Sequence, residues 1–256
     1  INEGLRSDQF VAHFQPKIDL GTLELHGAEA LCRWTHPEKG MIPPAEFITI
    51  AEETGQIIEI GRRILKQSCE VAFECNRSRT DPFVIAVNVS ARQLLYGGFL
   101  GTLGRCLEET GCKASWLELE ITESLLLIDD AAIIETLNSI SQLGITVSLD
   151  DFGTGYSSLA YFRRLPVQLI KVDRDFVRDM LDSEDDRAIV ESIVFLAKKF
   201  SRPVLAEGVE TLEHAKALLS LGCYLAQGYG IARPMPADKL PQWLTEWQRD
   251  GFLDTF

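Results

Sequence analysis

No stretch of about 18 uncharged apolar residues occurs in this sequence, so nothing in it reads as a membrane-spanning helix. Its first residues, Ile1-Asn2-Glu3-Gly4-Leu5-Arg6, contain neither a basic segment nor an apolar one of the kind that opens a signal peptide. There is no C-x-x-C pair. The six cysteines (Cys32, Cys69, Cys75, Cys106, Cys112, Cys223) are scattered through apolar surroundings and read as reduced core thiols of a cytoplasmic domain. Histidine is scarce too, and the four present (His13, His26, His36, His214) lack zinc-like spacing, which excludes a soft-metal site. Positive charge is in short supply: 25 Lys and Arg face 38 Asp and Glu, a net charge of −13. That balance excludes polymeric nucleic acid as a partner, because such binding draws on lysine and arginine to neutralise phosphates. A small anionic substrate stays compatible with it if bound cations cancel the acids locally.

No Pro/Ser-rich linker or low-complexity tract divides the 256 residues, and 46% hydrophobic content is enough for a sizeable core, so residues 1–256 read as a single domain. Residues 1–9 read as the end of a linker or helix. Because the sequence starts at Ile1 rather than Met, we expect a piece of a longer protein. The remainder is expected to hold regulatory or sensor domains and could be attached to a membrane.

Hydrophobic runs bounded by turn residues predict strands over 10–16, 23–34, 83–90, 116–122, 145–151, 169–173, 203–208 and 223–228. Helical periodicity fills 59–73, 91–110, 130–143, 185–200 and 212–221. Ser90 with Gln93 can form a capping box, Gly111, Gly144 and Gly222 follow predicted helix ends, and Pro43-Pro44 opens a helix. Strands alternating with helices predict a parallel sheet, and this many units in one domain predict an α/β fold of the (β/α)8 barrel type, with a doubly wound open sheet as the alternative. Only Asp19-Leu20-Gly21-Thr22 separates the first two strands, too few residues for a crossover helix. They are expected to pair as a hairpin, leaving the first barrel strand antiparallel.

Polar residues interrupt nearly every apolar run near its C-terminal end: Gln15, Glu29, Asn88, Glu120, Asp150 with Asp151, Lys171 with Asp173, Glu207 and Gln227. In a barrel those ends meet at one rim, where active sites of this fold lie. Taken singly, Gln15 and Gln227 read as satisfied amides and Lys171 as half of a salt bridge. Glu29, flanked by Gly27-Ala28 and Ala30-Leu31, is harder to dismiss, since an unpaired carboxylate in an apolar strand is costly. Glu29, Glu120, Asp150, Asp151 and Glu207 at one rim would repel one another beyond what one lysine can offset. Carboxylates with an asparagine carbonyl suit hard cations such as Mg2+ or Mn2+, and so many acids suit two ions sharing a bridging carboxylate, an arrangement used in phosphoryl transfer.

The stretch SLDDFGTGYSS (148–158) admits three readings: a metal site, the Asp-Phe-Gly loop of a protein kinase, or an aspartate-capped turn. The kinase reading fails, because no G-x-G-x-x-G loop precedes a V-A-I-K strand and no H-R-D loop is present.

Glu29-Ala30-Leu31 within GAEALCRW (27–34) resembles the motif after which the EAL family of cyclic di-GMP phosphodiesterases is named. The resemblance continues through FQPKIDL (14–20), HPEKG (36–40), PAEFI (44–48), AEETG (51–55), VNVSARQL (87–94), LELEITES (117–124), DDFGTGYSSL (150–159), IKVD (170–173), AEGVET (206–211) and QGYGIARPMP (227–236). It covers essentially the whole chain, in order and at fitting intervals. It implies a modified barrel with an antiparallel first strand, and hydrolysis of one phosphodiester bond of cyclic di-GMP to linear pGpG with two Mg2+ or Mn2+ ions, Ca2+ being expected to inhibit. Glu29, Asn88, Glu120 and Asp150 resemble the ligands of one metal, and Asp150, Asp151 and Glu207 the group around the second. Lys171 matches the family lysine that contacts the catalytic water, as base or as electrostatic guide; with metals lowering the pKa of that water, the guiding role is favoured. By the same resemblance Gln15, Leu31 and Arg33 contact substrate where it enters, and Asp173, Glu210, Gln227 and Pro234 surround guanine and ribose. Glu123 resembles the glutamate that steadies the loop beginning at Phe152 and Gly153. A homodimer is implied as well. Because some relatives bind cyclic di-GMP without cleaving it, a receptor module is the competing expectation.

Overall fold

The computed structural model describes residues 1–123, 125, 131–153, 163 and 165–247. Strands β1 (Phe10–Asp19) and β2 (Leu25–His36) form the expected hairpin, with Gln15 directly opposite Glu29. From β2 the sheet runs in parallel through β4 (Val84–Asn88), β5 (Leu117–Thr122), β6 (Thr146–Phe152), β7 (Leu169–Val172), β8 (Val204–Ala206) and β9 (Leu225–Ala226). β1 then pairs antiparallel with β9 as well as with β2, which closes a barrel in which, among the described residues, it alone is reversed. Two short strands fall outside the sequence expectation. β3 (Gly40–Ile42) extends the β2 edge and β10 (Met235–Pro236) flanks β1, each too short to show a hydrophobic period.

Among the described residues, helices α1 (Asn2–Arg6), α2 (Pro44–Thr54), α3 (Ile57–Asn76), α4 (Ala91–Leu95), α5 (Phe99–Thr110), α6 (Ala131–Gln142), α7 (Arg174–Asp179), α8 (Glu184–Lys199), α9 (Leu212–Leu221) and α10 (Leu240–Glu246), with a short 3-10 helix at Ala114–Trp116, make up the rest of the regular structure. The Ser90–Gln93 capping box is formed at both of its hydrogen bonds. Gly111, Gly144 and Gly222 take left-handed φ of 71°, 87° and 87° at or just beyond helix ends, the conformation in which a side chain would be strained. The helix expected over 91–110 is two helices. Tyr96 leaves helical geometry at φ −78°, ψ 93°, and Gly97-Gly98 carry the break before α5 begins.

The main apolar core lies between strands and helices, where the outward strand residues Ile85, Val87, Leu119, Val147, Leu149, Ile170 and Val172 are buried. Inside the barrel, Leu169, Leu205 and Leu225 form a separate apolar cluster. Leu205 lies beside both Lys171 and Leu225 in register, so the inward face passes from apolar to charged as β7 runs from Leu169 to Lys171.

Candidate active site

Residues directly opposite across a ladder share a face, and residues two apart along a strand share it too. The register Asn88–Glu120–Ser148 and the step from Ser148 to Asp150 therefore set Asn88, Glu120 and Asp150 on the barrel interior. Gln15 and Glu29 join them from the hairpin, and Lys171 from β7.

At the centre stands Lys171, with a side chain wholly shielded from solvent. Its Nζ lies 2.6 Å from Glu207 Oε1, 2.8 Å from Glu120 Oε2, 3.1 Å from Asp150 Oδ1 and 3.6 Å from Glu29 Oε2. Burial alone would lower the pKa of such an ammonium. Asp150, Glu120, Glu207 and Glu29 together override it and hold Lys171 well above the ordinary lysine value, so it is a fixed cation at neutral pH. Glu207 moves the other way: burial first, then the charges of Asp150 and Glu29, push it up to about 8 against the pull of Lys171.

Asp151 owes its position to a local irregularity. Neighbouring strand residues normally point to opposite faces, which would send one of the two adjacent acids outward. Instead the β6–β7 register shifts between Leu149 and Phe152, and Asp151 takes φ +55°. The Asp150 carboxylate accepts a hydrogen bond from the Asp151 N–H at 3.0 Å, which supports this left-handed residue. Asp151 thereby lies close to Asp150 and within hydrogen-bonding reach of Asp173. Burial, the Asp150 charge and the Asp173 contact push its carboxyl up to about 7. Two residues on, Gly153 adopts φ +106° and donates its N–H to Glu123 Oε2 at 2.9 Å. The remainder of the glycine- and hydroxyl-rich loop, from Thr154, lies outside the described residues.

Two amides and an asparagine complete the set. Gln227 Nε2 donates to Glu29 Oε2 at 2.7 Å and to Gln15 Oε1 at 2.9 Å, and Gln15 Nε2 donates to the Ala232 carbonyl at 2.9 Å. Asn88 Nδ2 donates to Glu29 Oε1 at 2.7 Å. Gln227 Oε1 is buried without a hydrogen-bond partner among the described residues. Above these side chains is a cleft of about 470 Å3, lined by Gln15, Glu29, Leu31, Arg33, Asp150, Arg174, Glu207, Glu210, Gln227 and Pro234. Asp173 does not line it; it caps α7, accepting from the Asp175 N–H at 2.7 Å. Asn88 opens instead onto a neighbouring cavity of about 740 Å3, walled by Ile48, Ile57, Ile60, Ile64 and Val89. The larger cavity is mainly aliphatic, and the carboxylate cluster belongs to the smaller cleft.

Among the described residues, two buried charges, Lys17 and Glu118, escaped the sequence reading. Lys17 is 1% exposed, and its Nζ reaches Glu120 Oε1 at 2.8 Å and Glu118 Oε1 at 3.2 Å. The signal was available: Lys17 is two residues from Gln15 and Glu118 two from Glu120, so both share the inward face.

A family model described as "EAL domain" matches residues 1–234. The chain belongs to the EAL-domain family. It is 39% identical over 241 residues to the bifunctional diguanylate cyclase/cyclic di-GMP phosphodiesterase MucR of Pseudomonas aeruginosa, covering 94% of this chain and 35% of that protein. It is 38% identical over 251 residues to the cyclic di-GMP phosphodiesterase NbdA of the same organism, covering 98% of this chain and 32% of that one. This EAL domain thus spans about a third of the length of the curated relatives it matches. Among solved structures, one described as the MucR phosphodiesterase in complex with c-di-GMP superposes with a TM-score of 0.89 at 39% identity, over 93% of this chain and 97% of that one. The antiparallel first strand and closed barrel found here are the expected architecture of the family.

The donor chemistry of the site fits a hard divalent cation: every candidate donor is an oxygen, and Glu29, Glu118, Glu120, Asp150 and Glu207 outnumber Lys17 and Lys171 in the barrel interior. Among the described residues no group of three or more His, Cys, Asp or Glu side chains is arranged to grip an ion. In this structure Glu29, Glu120, Asp150 and Glu207 share Lys171 as their common partner.

Proposed function

We propose that this EAL domain hydrolyses one phosphodiester bond of cyclic di-GMP to linear pGpG with divalent metal assistance. The observation that carries the reading is the convergence of Glu29, Glu120, Asp150 and Glu207 on one buried lysine beneath an open cleft. Family membership and relatives named as cyclic di-GMP phosphodiesterases support the substrate. Glu29, Asn88, Glu120 and Asp150 would hold one Mg2+ or Mn2+, and Asp150, Asp151 and Glu207 a second. Bound there, the ions supply Lewis acidity and a lowered pKa for the attacking water.

The chain's own residues do the rest. With the ions lowering the pKa of the water, a neutral lysine base is not required, and Lys171, set among these carboxylates, serves as a positive charge that orients the water. Arg33, at the edge of the cleft, offers a planar guanidinium to a phosphate oxygen. Gln227 Oε1, without a partner among the described residues, is an acceptor suited to a guanine N–H. Water adds its oxygen to phosphorus and gives up a proton, the bond to the 3′ oxygen breaks, and that oxygen takes up a proton in exchange and leaves as a hydroxyl. The product retains a 5′ phosphate.

The test is incubation of cyclic di-GMP with the protein in Mg2+, Mn2+ or Ca2+, with pGpG followed by chromatography. Product is expected in Mg2+ and Mn2+. In Ca2+, larger and less strictly octahedral, binding with little turnover is expected. Tight binding with no pGpG under any of these conditions would refute hydrolysis and leave a receptor module.

A further inference from the structure

Beneath the rim lies a second charged layer, and it bears on how the rim is held. Glu120, 1% exposed, is gripped at both carboxylate oxygens: Lys17 Nζ donates to Oε1 at 2.8 Å and Lys171 Nζ to Oε2 at 2.8 Å. Lys17 also donates to Glu118 Oε1 at 3.2 Å, and that oxygen accepts from Ser148 Oγ at 2.8 Å. Lys17, Glu118 and Ser148 are each at most 2% exposed, and none of them lines the cleft. The terminal torsion of a glutamate is broad and ill-determined, so a carboxylate tied at one oxygen still rotates. Tied at both, it has one orientation. Glu118 has a distinct part, because its charge balances that of Lys17 and leaves the Glu120 charge available to the rim.

We propose that Lys17, backed by Glu118 and Ser148, is a positioning residue that presents Glu120 Oε2 to a divalent cation at the rim. The inference rests on the reading of the rim as a cation site. When an ion competes with Lys171 for Oε2, the hold of Lys17 on Oε1 persists and the carboxylate keeps its orientation. Hydrogen-bonding partners behind a ligand typically contribute ten- to a hundredfold in metal affinity or activity.

Removing Lys17 alone would leave Glu118 and Glu120 facing each other in a dry interior, so the test uses Lys17→Met combined with Glu118→Gln, which preserves the buried charge balance. The metal-free protein is titrated with Mn2+ alone by electron paramagnetic resonance, and kcat and KM for cyclic di-GMP are measured across Mn2+ concentrations. The double variant is expected to bind Mn2+ about tenfold or more weakly. Its kcat should fall at limiting Mn2+ and recover largely at saturation, with KM for cyclic di-GMP changed by less than about threefold. Wild-type Mn2+ affinity and kcat would overturn the proposal. So would a loss of kcat at every Mn2+ concentration with unchanged affinity, because that pattern marks a structural filler. If the double variant does not fold, Ser148→Ala removes only the hydroxyl that braces Glu118. Two- to threefold weaker Mn2+ binding then supports the proposal, and unchanged binding overturns it. A wild-type protein that takes up no Mn2+ fails the rim reading itself, a result visible before any variant is compared.

Discussion

Replacing Lys171 by methionine removes the ammonium on which Glu29, Glu120, Asp150 and Glu207 converge, while keeping a side chain of similar length in the same fully buried place. Taking one partner out of a buried ion cluster costs about 3–5 kcal/mol, since the remaining charges are left desolvated and unpaired. For a chain of this size each kcal/mol lowers the melting temperature by about 2–4 °C, so Lys171→Met in a chelator should melt roughly 6–20 °C below wild type. Divalent cations held as proposed would supply the missing positive charge. At a hundred times the dissociation constant an ion that binds only the folded state adds about 2.7 kcal/mol, or roughly 5–11 °C. The variant should gain more than wild type does, because its acids have lost their internal counter-charge. Melting curves followed by circular dichroism, with EDTA and with MgCl2, measure both effects without reference to catalysis. A variant that melts within about 2 °C of wild type in EDTA, or that gains no more than wild type from Mg2+, would refute the account of the site as a carboxylate cluster balanced by lysine and cations.

Glu29→Ala removes the acceptor for both Asn88 and Gln227, and pGpG formation should disappear while the far-ultraviolet spectrum stays native. Near-normal turnover would take Glu29 out of the proposed metal site. Glu123→Ala deletes the acceptor of the Gly153 N–H and should lower kcat through the placement of Asp151; rate and metal dependence both unchanged would end that coupling. His26 gives a prediction independent of function. Burial, then Lys17, lowers its pKa in the folded protein below the ordinary 6.5, so the unfolded chain takes up the proton first as pH falls. Its effect is absent above that value and destabilising below it. The decline in melting temperature from pH 7 to 5 should therefore be shallower in His26→Gln than in wild type, and parallel curves would contradict the assignment.

How far the sequence could be read depended on whether a feature was local. The β1–β2 hairpin was legible because a four-residue turn cannot carry a crossover, and the Ser90–Gln93 cap because it is written in adjacent residues. Glu29 stood out because an acid among small apolar residues contradicts its own strand. Lys17 and Glu118 did not stand out, for Lys17 lies 101 residues from Glu118 and 103 from Glu120, and they meet only when the barrel closes. The split of 91–110 at Gly97-Gly98 was visible as a pair of poor helix formers, yet the flanking helical period masked it.

Sequence alone determined the alternation of strands and helices, the reversed first strand, and the identity of the acids at the strand ends. Motif resemblance tied those acids to one family. The tertiary structure decided which charges touch. Closure sets Lys171 among four carboxylates and Lys17 beneath Glu120, and a register shift with a left-handed Asp151 keeps two adjacent acids near one rim. The physical reason is that strand periodicity specifies which way a side chain faces, whereas the partner it meets inside a barrel depends on the stagger of every strand between them.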